Sequence, residues 1–139
     1  MSLEKVLTES DIVTLHAPLN DETQYIISTK QFEMMKESAY LINTARSGLI
    51  DTDAMIEALK ADEIAGMGID VYEKEPPEED LGFFELENVT LSPHLAWCSV
   101  EAGWDIRKKI IDDIMRYRDG KPPRFVVNKE IEEVLARGK

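Results

Sequence analysis

Arg46, Glu75 and His94 stand 29 and 19 positions apart, and each follows a short apolar, β-branched run. An imidazole, whose ordinary pKa is about 6.5, can trade protons with a hydroxyl at neutral pH. Glu75 could accept a hydrogen bond from the second ring nitrogen of His94, which would fix the tautomer and stabilise the imidazolium. Arg46 carries a rigid fork of donors suited to bidentate capture of a carboxylate. Taken singly, each residue also has an ordinary structural reading: the arginine in a surface ion pair, the histidine as a loop or capping group, and Glu75 as a solvated neighbour of Glu73 and Lys74. Asp70 lies late in the apolar run 65–72, where a carboxylate must be either exposed or hydrogen-bonded. His16 closes the run 11–16; a ring there can pack along a ligand loop or simply bond to neighbouring backbone.

The elements that position these residues follow a repeating order. The runs 11–16, 39–44, 65–72 and 89–92 have the length and β-branched content of buried strands, the first followed by a loop at Pro18 and the last stopped by Pro93. Between the first two, Ser28 and Gln31 form a capping pair ahead of Phe32 and Met35. Asp51, Thr52 and Asp53 then open a helix over 54–61. Strands alternating with short helices predict a parallel sheet with helical crossovers. A long helix is expected over 99–119, capped by Ser99 and ended by Gly120 with Pro122 and Pro123 beyond. Val100, Ile106, Ile110, Ile111, Ile114 and Met115 fall near helical spacing on it, and Trp104 is expected to pack along it. The tail contains an extended piece, Phe125-Val126-Val127, and then a Glu-rich amphipathic stretch.

Composition narrows the class. The chain has 139 residues, a formal net charge of −12 and one cysteine, Cys98. That excludes an intrachain disulfide and a thiolate metal cluster within one chain, and it suits a reducing, cytoplasmic compartment. The acidity argues against nucleic acid, which requires clustered Lys and Arg. No apolar run approaches the ~20 residues of a membrane span. The acidic run Glu78-Glu79-Asp80 reads as a solvated loop, and no metal site is expected.

Four stretches are decisive when taken in order: Ser10-Asp11-Ile12-Val13-Thr14-Leu15-His16-Ala17-Pro18-Leu19, Leu41-Ile42-Asn43-Thr44-Ala45-Arg46, Gly68-Ile69-Asp70-Val71-Tyr72-Glu73-Lys74-Glu75-Pro76 and Ser92-Pro93-His94-Leu95-Ala96-Trp97. Together they resemble the D-2-hydroxyacid dehydrogenase family, which includes phosphoglycerate, glycerate/hydroxypyruvate and D-lactate dehydrogenases. The resemblance covers nearly the whole chain. It implies that Arg46 positions a 2-hydroxy acid substrate, that His94 does the acid/base work and that Glu75 orients it. It also implies contacts to NAD, with NADP left open, from His16, Ala17, Pro18, Thr44, Ala45, Arg46, Asp70, His94 and Ala96. Asp70 would lie near the nicotinamide carboxamide and Trp97 beside the active site or at an interface. One departure stands out: family members commonly carry glycine directly after the arginine, whereas this sequence has Ser47 and then Gly48.

The implied fold is α/β, a partial Rossmann-like, doubly wound parallel sheet with flanking helices. No Gly-x-Gly-x-x-Gly pyrophosphate loop occurs, and Gly66-x-Gly68 falls inside a strand, so the first βαβ half is expected to be absent, with no room for a strand and helix ahead of Asp11. Residues 1–119 then form the C-terminal portion of an NAD-binding domain and 120–139 a tail. An engineered start at Met1-Ser2-Leu3 would explain the same pattern. The chain alone is expected to show no dehydrogenase activity. The alternative is an inactive fragment serving as an association module, its exposed edge at 11–16 favouring a homo-oligomer.

Overall fold

The computed structural model describes residues 1–78 and 81–128. In chain order the elements are α1 (Leu3–Glu9), β1 (Ile12–Leu15), α2 (Thr29–Phe32), β2 (Tyr40–Asn43), a 3-10 turn (Ser47–Leu49), α3 (Thr52–Lys60), β3 (Gly66–Ile69), β4 (Val89–Leu91) and α4 (Val100–Arg118). The chain divides into two compact units, Met1–Ala96 and Trp97–Lys139. The expected boundary at 119/120 falls at the end of α4, within the second unit.

The first unit holds a four-stranded sheet in the order β1-β2-β3-β4, every pair parallel. Strand periodicity gives one buried and one open face. Val13, Leu15, Leu41, Met67 and Ile69 face the core, together with Leu7 of α1, Phe32 of α2 and Met55, Ala58 and Leu59 of α3. Fully buried residues such as Phe32 and Leu41 each contribute about 1.5–3 kcal/mol of hydrophobic stabilisation. On the other face, Ile12 is 63 % exposed and Tyr40 50 %.

The starts at Ser28–Gln31 and Ser99 are built as the sequence predicts, whereas α3 opens two residues earlier than expected, with Asp51 as its cap. Asp51 Oδ1 accepts from the Ala54 amide at 3.2 Å, Gln31 Oε1 accepts from the Ser28 amide at 3.2 Å, and Ser99 Oγ accepts from the Ala102 amide at 3.0 Å. Gly120 ends α4 with φ of 69°, a left-handed conformation that glycine adopts without a Cβ penalty.

Several expectations need correction. The predicted strand over 65–72 pairs only over Gly66–Ile69, in register with the four residues of β2 on one side and with Val89–Leu91 of β4 on the other. The segment ahead of Asp11, to which the sequence reading assigned no element, forms α1, capped by Ser2, with Leu7 fully buried. Phe125-Val126-Val127 forms no strand: among the described residues no other segment pairs with it, and an extended piece without a partner has no ladder for its amides. None of the α4 apolar residues is buried. Trp104, expected to pack along the helix, is 68 % exposed, and its one recorded contact there is with the Arg107 guanidinium, 6.0 Å from the ring centre. Glu79, Asp80 and the Glu-rich stretch 129–139 lie outside the described residues.

The two glycines of β3 differ in kind. A Cβ on Gly66 would sit 2.6 Å from the Asn88 carbonyl oxygen, a backbone atom that cannot move without opening the β3–β4 pair. A Cβ on Gly68 would meet only the Ile42 side chain, at 3.7 Å. Urea unfolding should therefore show Gly66→Ala destabilised by about 2 kcal/mol or more, as for an overpacked core, while Gly68→Ala is neutral or stabilising by up to about 1 kcal/mol.

Candidate active site

Leu15, Asn43, Ile69 and Leu91 are partners across the sheet and the last residues of their strands. The next residue along each strand is therefore His16, Thr44, Asp70 and Ser92, and these form one row at the C-terminal rim. Open α/β sheets bind ligands at this rim. Nearly all the sequence-predicted site residues stand in this row or in the loops that leave it.

His94 Nδ1 lies 2.9 Å from Glu75 Oε1 and 2.8 Å from Oε2. An ionised carboxylate can only accept, so Nδ1 must carry the proton, and Nε2 is the nitrogen left for a ligand. The hydrogen bond from His94, joined by one from the Tyr72 amide at 3.3 Å, holds the Glu75 carboxyl below the usual glutamate range. His94 itself has φ of 55°, a left-handed conformation rare outside glycine and costing about 1–3 kcal/mol unless its surroundings impose it.

Asp70 supplies that constraint. Its side chain is only 3 % exposed, and its two oxygens accept from the Leu95 amide at 2.8 Å and the Ala96 amide at 2.9 Å. Burial alone would push the Asp70 carboxyl up; the Ser92 hydroxyl, the two amides and the positive charge of His94 outweigh burial and bring it below the usual aspartate value. The strand-end carboxylate thus finds its partners within the chain and needs no cofactor amide to satisfy it.

Arg46 is held by a second, separate set of bonds. Asn43, 2 % exposed, donates from Nδ2 to the Arg46 carbonyl at 2.9 Å and accepts the Ala45 amide on Oδ1 at 3.1 Å, closing a tight turn. The arginine fork donates to the Ala45 carbonyl at 2.6 Å. Behind the arginine, Ser47 heads the 3-10 turn; a Cβ on Gly48 would meet a Leu19 methyl at 3.0 Å, and Tyr25 donates its amide to the Gly48 carbonyl at 2.8 Å.

The predicted residues gather into recesses. His16, Ala17, Pro18, Leu19, Thr44, Ala45 and Arg46 line an open recess of about 750 Å³. Thr44, Asp70 and Ala96 share a smaller one of about 170 Å³ with Gly68 and Ser92. Glu75 and His94 edge a third, of about 400 Å³, walled by Tyr72, Pro76, Pro77, Phe84, Leu91 and Pro93. No recorded contact joins Arg46 to the Glu75–His94 pair. His16 bonds through Nε2 to the Thr14 hydroxyl at 3.0 Å rather than to backbone. Small side chains on the first recess and its position at the rim suit a bound dinucleotide. Asn43, Tyr72 and Ser92 had no assigned role in the sequence reading; for Asn43 the available signal was a buried amide at a strand end followed by a turn.

Residues 1–96 match the family described as D-isomer specific 2-hydroxyacid dehydrogenase, NAD binding domain. The chain belongs to this family. It is 42% identical over 128 residues to a glycerate dehydrogenase of Methylorubrum extorquens, covering 91% of this chain and 41% of that protein. It is 41% identical over 138 residues to a glyoxylate reductase of Thermococcus kodakarensis, covering 99% of this chain and again 41% of the relative. Among solved structures, the NAD-complexed D-isomer specific 2-hydroxyacid dehydrogenase of Lactobacillus delbrueckii ssp. bulgaricus superposes with a TM-score of 0.85 at 36% identity, covering 91% of this chain and 43% of that one. The family is one of oxidoreductases with an NAD-binding Rossmann-like domain, of which this chain is part. It spans about two-fifths of the length of the curated relatives it matches.

The Asp70 clamp has a measurable signature. In Asp70→Asn the amide NH2 would face a backbone N–H, so urea unfolding at pH 7 should show a loss of about 2 kcal/mol. Because the folded carboxyl titrates below its ordinary value of 3.8, its stabilising contribution is complete above that value and is lost as pH falls through the lower folded one. The asparagine variant should lack that acid-side decline.

Proposed function

We propose that this chain supplies the acid/base pair and part of the cofactor site of an NAD-dependent oxidoreductase that interconverts D-2-hydroxy acids and 2-keto acids. The observation that carries this reading is the Glu75–His94 pair, with the Nδ1 proton fixed on the carboxylate and Nε2 left as the working nitrogen. When bound, the nicotinamide supplies or accepts the hydride.

The chain's own residues handle the proton and the substrate's charge. In reduction, His94 Nε2 donates to the ketone oxygen, and in oxidation it takes the proton from the hydroxyl. Glu75, held ionised, stabilises the imidazolium that forms. Arg46 releases its bond to the Ala45 carbonyl and presents its fork to the substrate carboxylate. His16, Ala17, Pro18, Thr44, Ala45 and Arg46 flank the cofactor along the larger recess. Asp70 and Ala96, with His94, lie toward the nicotinamide; a carboxylate has about four acceptor sites, so Asp70 can hold two amides and still accept from a carboxamide. NAD is the expected cofactor, with NADP as the second candidate.

No helix among the described residues is long and apolar enough to cross a membrane. With Cys98 free and the charge strongly negative, we place the protein in the cytoplasm, acting on a small molecule rather than on nucleic acid. Association is the second reading, favoured by one observation: β1 is a sheet edge among the described strands, with Ile12 largely exposed. Bare apolar edges tend to pair, and a homodimer or larger assembly is the association this reading proposes. Sedimentation of a monomer at micromolar concentration would count against it.

The chemistry can be tested by grafting residues 1–128 in place of the matching segment of the glycerate dehydrogenase relative. The graft should reduce a 2-keto acid with NADH. Within it, His94→Asn should lower kcat by about 10²–10⁴-fold while NADH still binds, and Arg46→Lys should raise KM by about tenfold or more through loss of the bidentate contact. Equal turnover with and without the histidine sinks the assignment.

A further inference from the structure

Two bonds on Ser92, two residues before His94, fix where the histidine loop leaves the sheet. The Ser92 amide donates to the Ile69 carbonyl at 2.9 Å, and its carbonyl accepts from the Tyr72 hydroxyl at 2.9 Å. The same Tyr72 donates its amide to Glu75 Oε1 at 3.3 Å. Its ring stacks on Phe83, with centroids 6.1 Å apart and planes inclined at 27°, and Phe83 is buried in the core. One residue therefore touches the carboxylate of the pair, the strand end that carries the histidine, and the hydrophobic core.

We infer that Tyr72 is a positioning residue for the Glu75–His94 pair, tying the loop of the carboxylate to the strand end of the histidine through its amide and its hydroxyl. The inference deepens the acid/base reading of that pair and rests on it. Packing alone would explain the ring but not the hydroxyl, since phenylalanine would stack on Phe83 equally well. The hydroxyl reaches 20 positions along the chain to a carbonyl that has no other recorded partner. Burial, followed by the negative charge of Asp70, pushes the Tyr72 hydroxyl above its usual range, so it remains a donor throughout neutral pH. Without that bond, Ser92 keeps its sheet contact, but its carbonyl is free to tilt. His94, in its left-handed conformation, sits where a small backbone rotation swings the ring away from Glu75.

Tyr72→Phe isolates the hydroxyl while leaving ring and amide in place. The readout is solvent exchange of the His94 Nδ1 proton, followed by NMR on the 15N-labelled chain, with the His16 ring as internal reference. Loss of one hydrogen bond of ordinary strength should speed that exchange by about fivefold. The His16 ring and the thermal midpoint should move little. Unchanged exchange at His94 in a folded Tyr72→Phe variant overturns the inference and leaves the Glu75–His94 pair standing. An equal change at His16 also overturns it, since that reports general loosening. Absence of a carboxylate-bonded Nδ1 proton in the unaltered chain removes the pair itself, and the positioning role with it.

Discussion

A parallel sheet sends every strand toward the same end, and in this chain the register makes the four strands stop together. Leu15, Asn43, Ile69 and Leu91 are cross-strand partners, so the residues that follow them leave the sheet side by side. Positions 16, 44, 70 and 92 are separated by as many as 28 residues in sequence between neighbours, yet stand in one row. No local preference could assemble them. The spacing comes from core packing: Val13, Leu41 and Met67 must share one face with Leu15, Asn43 and Ile69, and a slip of one residue would turn every one of them to the open side. The register that buries the core is the same register that lines up the site.

A buried carboxylate at such a rim is costly unless every oxygen is satisfied. Asp70 meets that condition with two backbone amides, one on each oxygen, both from the segment that follows β4. Its acceptors fix the backbone on the C-terminal side of His94, while Tyr72 fixes Ser92 on the N-terminal side and Glu75 fixes the ring. The left-handed φ at His94 is thus held from three directions by residues 70–75. Strain of this kind persists where the surroundings over-determine it, and here the surroundings are a strand end and its first turn.

What was legible in the sequence was what local chemistry writes. Caps at Ser99 and Asp51, the glycine stop at Gly120, the alternating strands and the strand-end placement of Arg46, Asp70 and His94 all depend on residues within a few positions of one another. The role of Asp70 depended on partners 25 and 26 positions away, and that of Tyr72 on one 20 away, so neither could be read from its own neighbourhood. The short α1 escaped notice because seven residues carry too little periodicity to stand out; what holds it is the burial of Leu7. The extended 125–127 segment failed for the opposite reason, since β propensity without a partner strand does not make a strand.

The two halves of the site are held by different means. Arg46 depends on Asn43, which closes the turn. His94 depends on Asp70, Tyr72 and Glu75, which meet that turn only through the sheet bond from the Asp70 amide to the Asn43 carbonyl at 3.1 Å. The groups that would grip a substrate carboxylate and those that would move its proton therefore share only the sheet between them. A rigid sheet with independent loops lets each be retuned without disturbing the other, as expected where function sits on loops carried by a common scaffold.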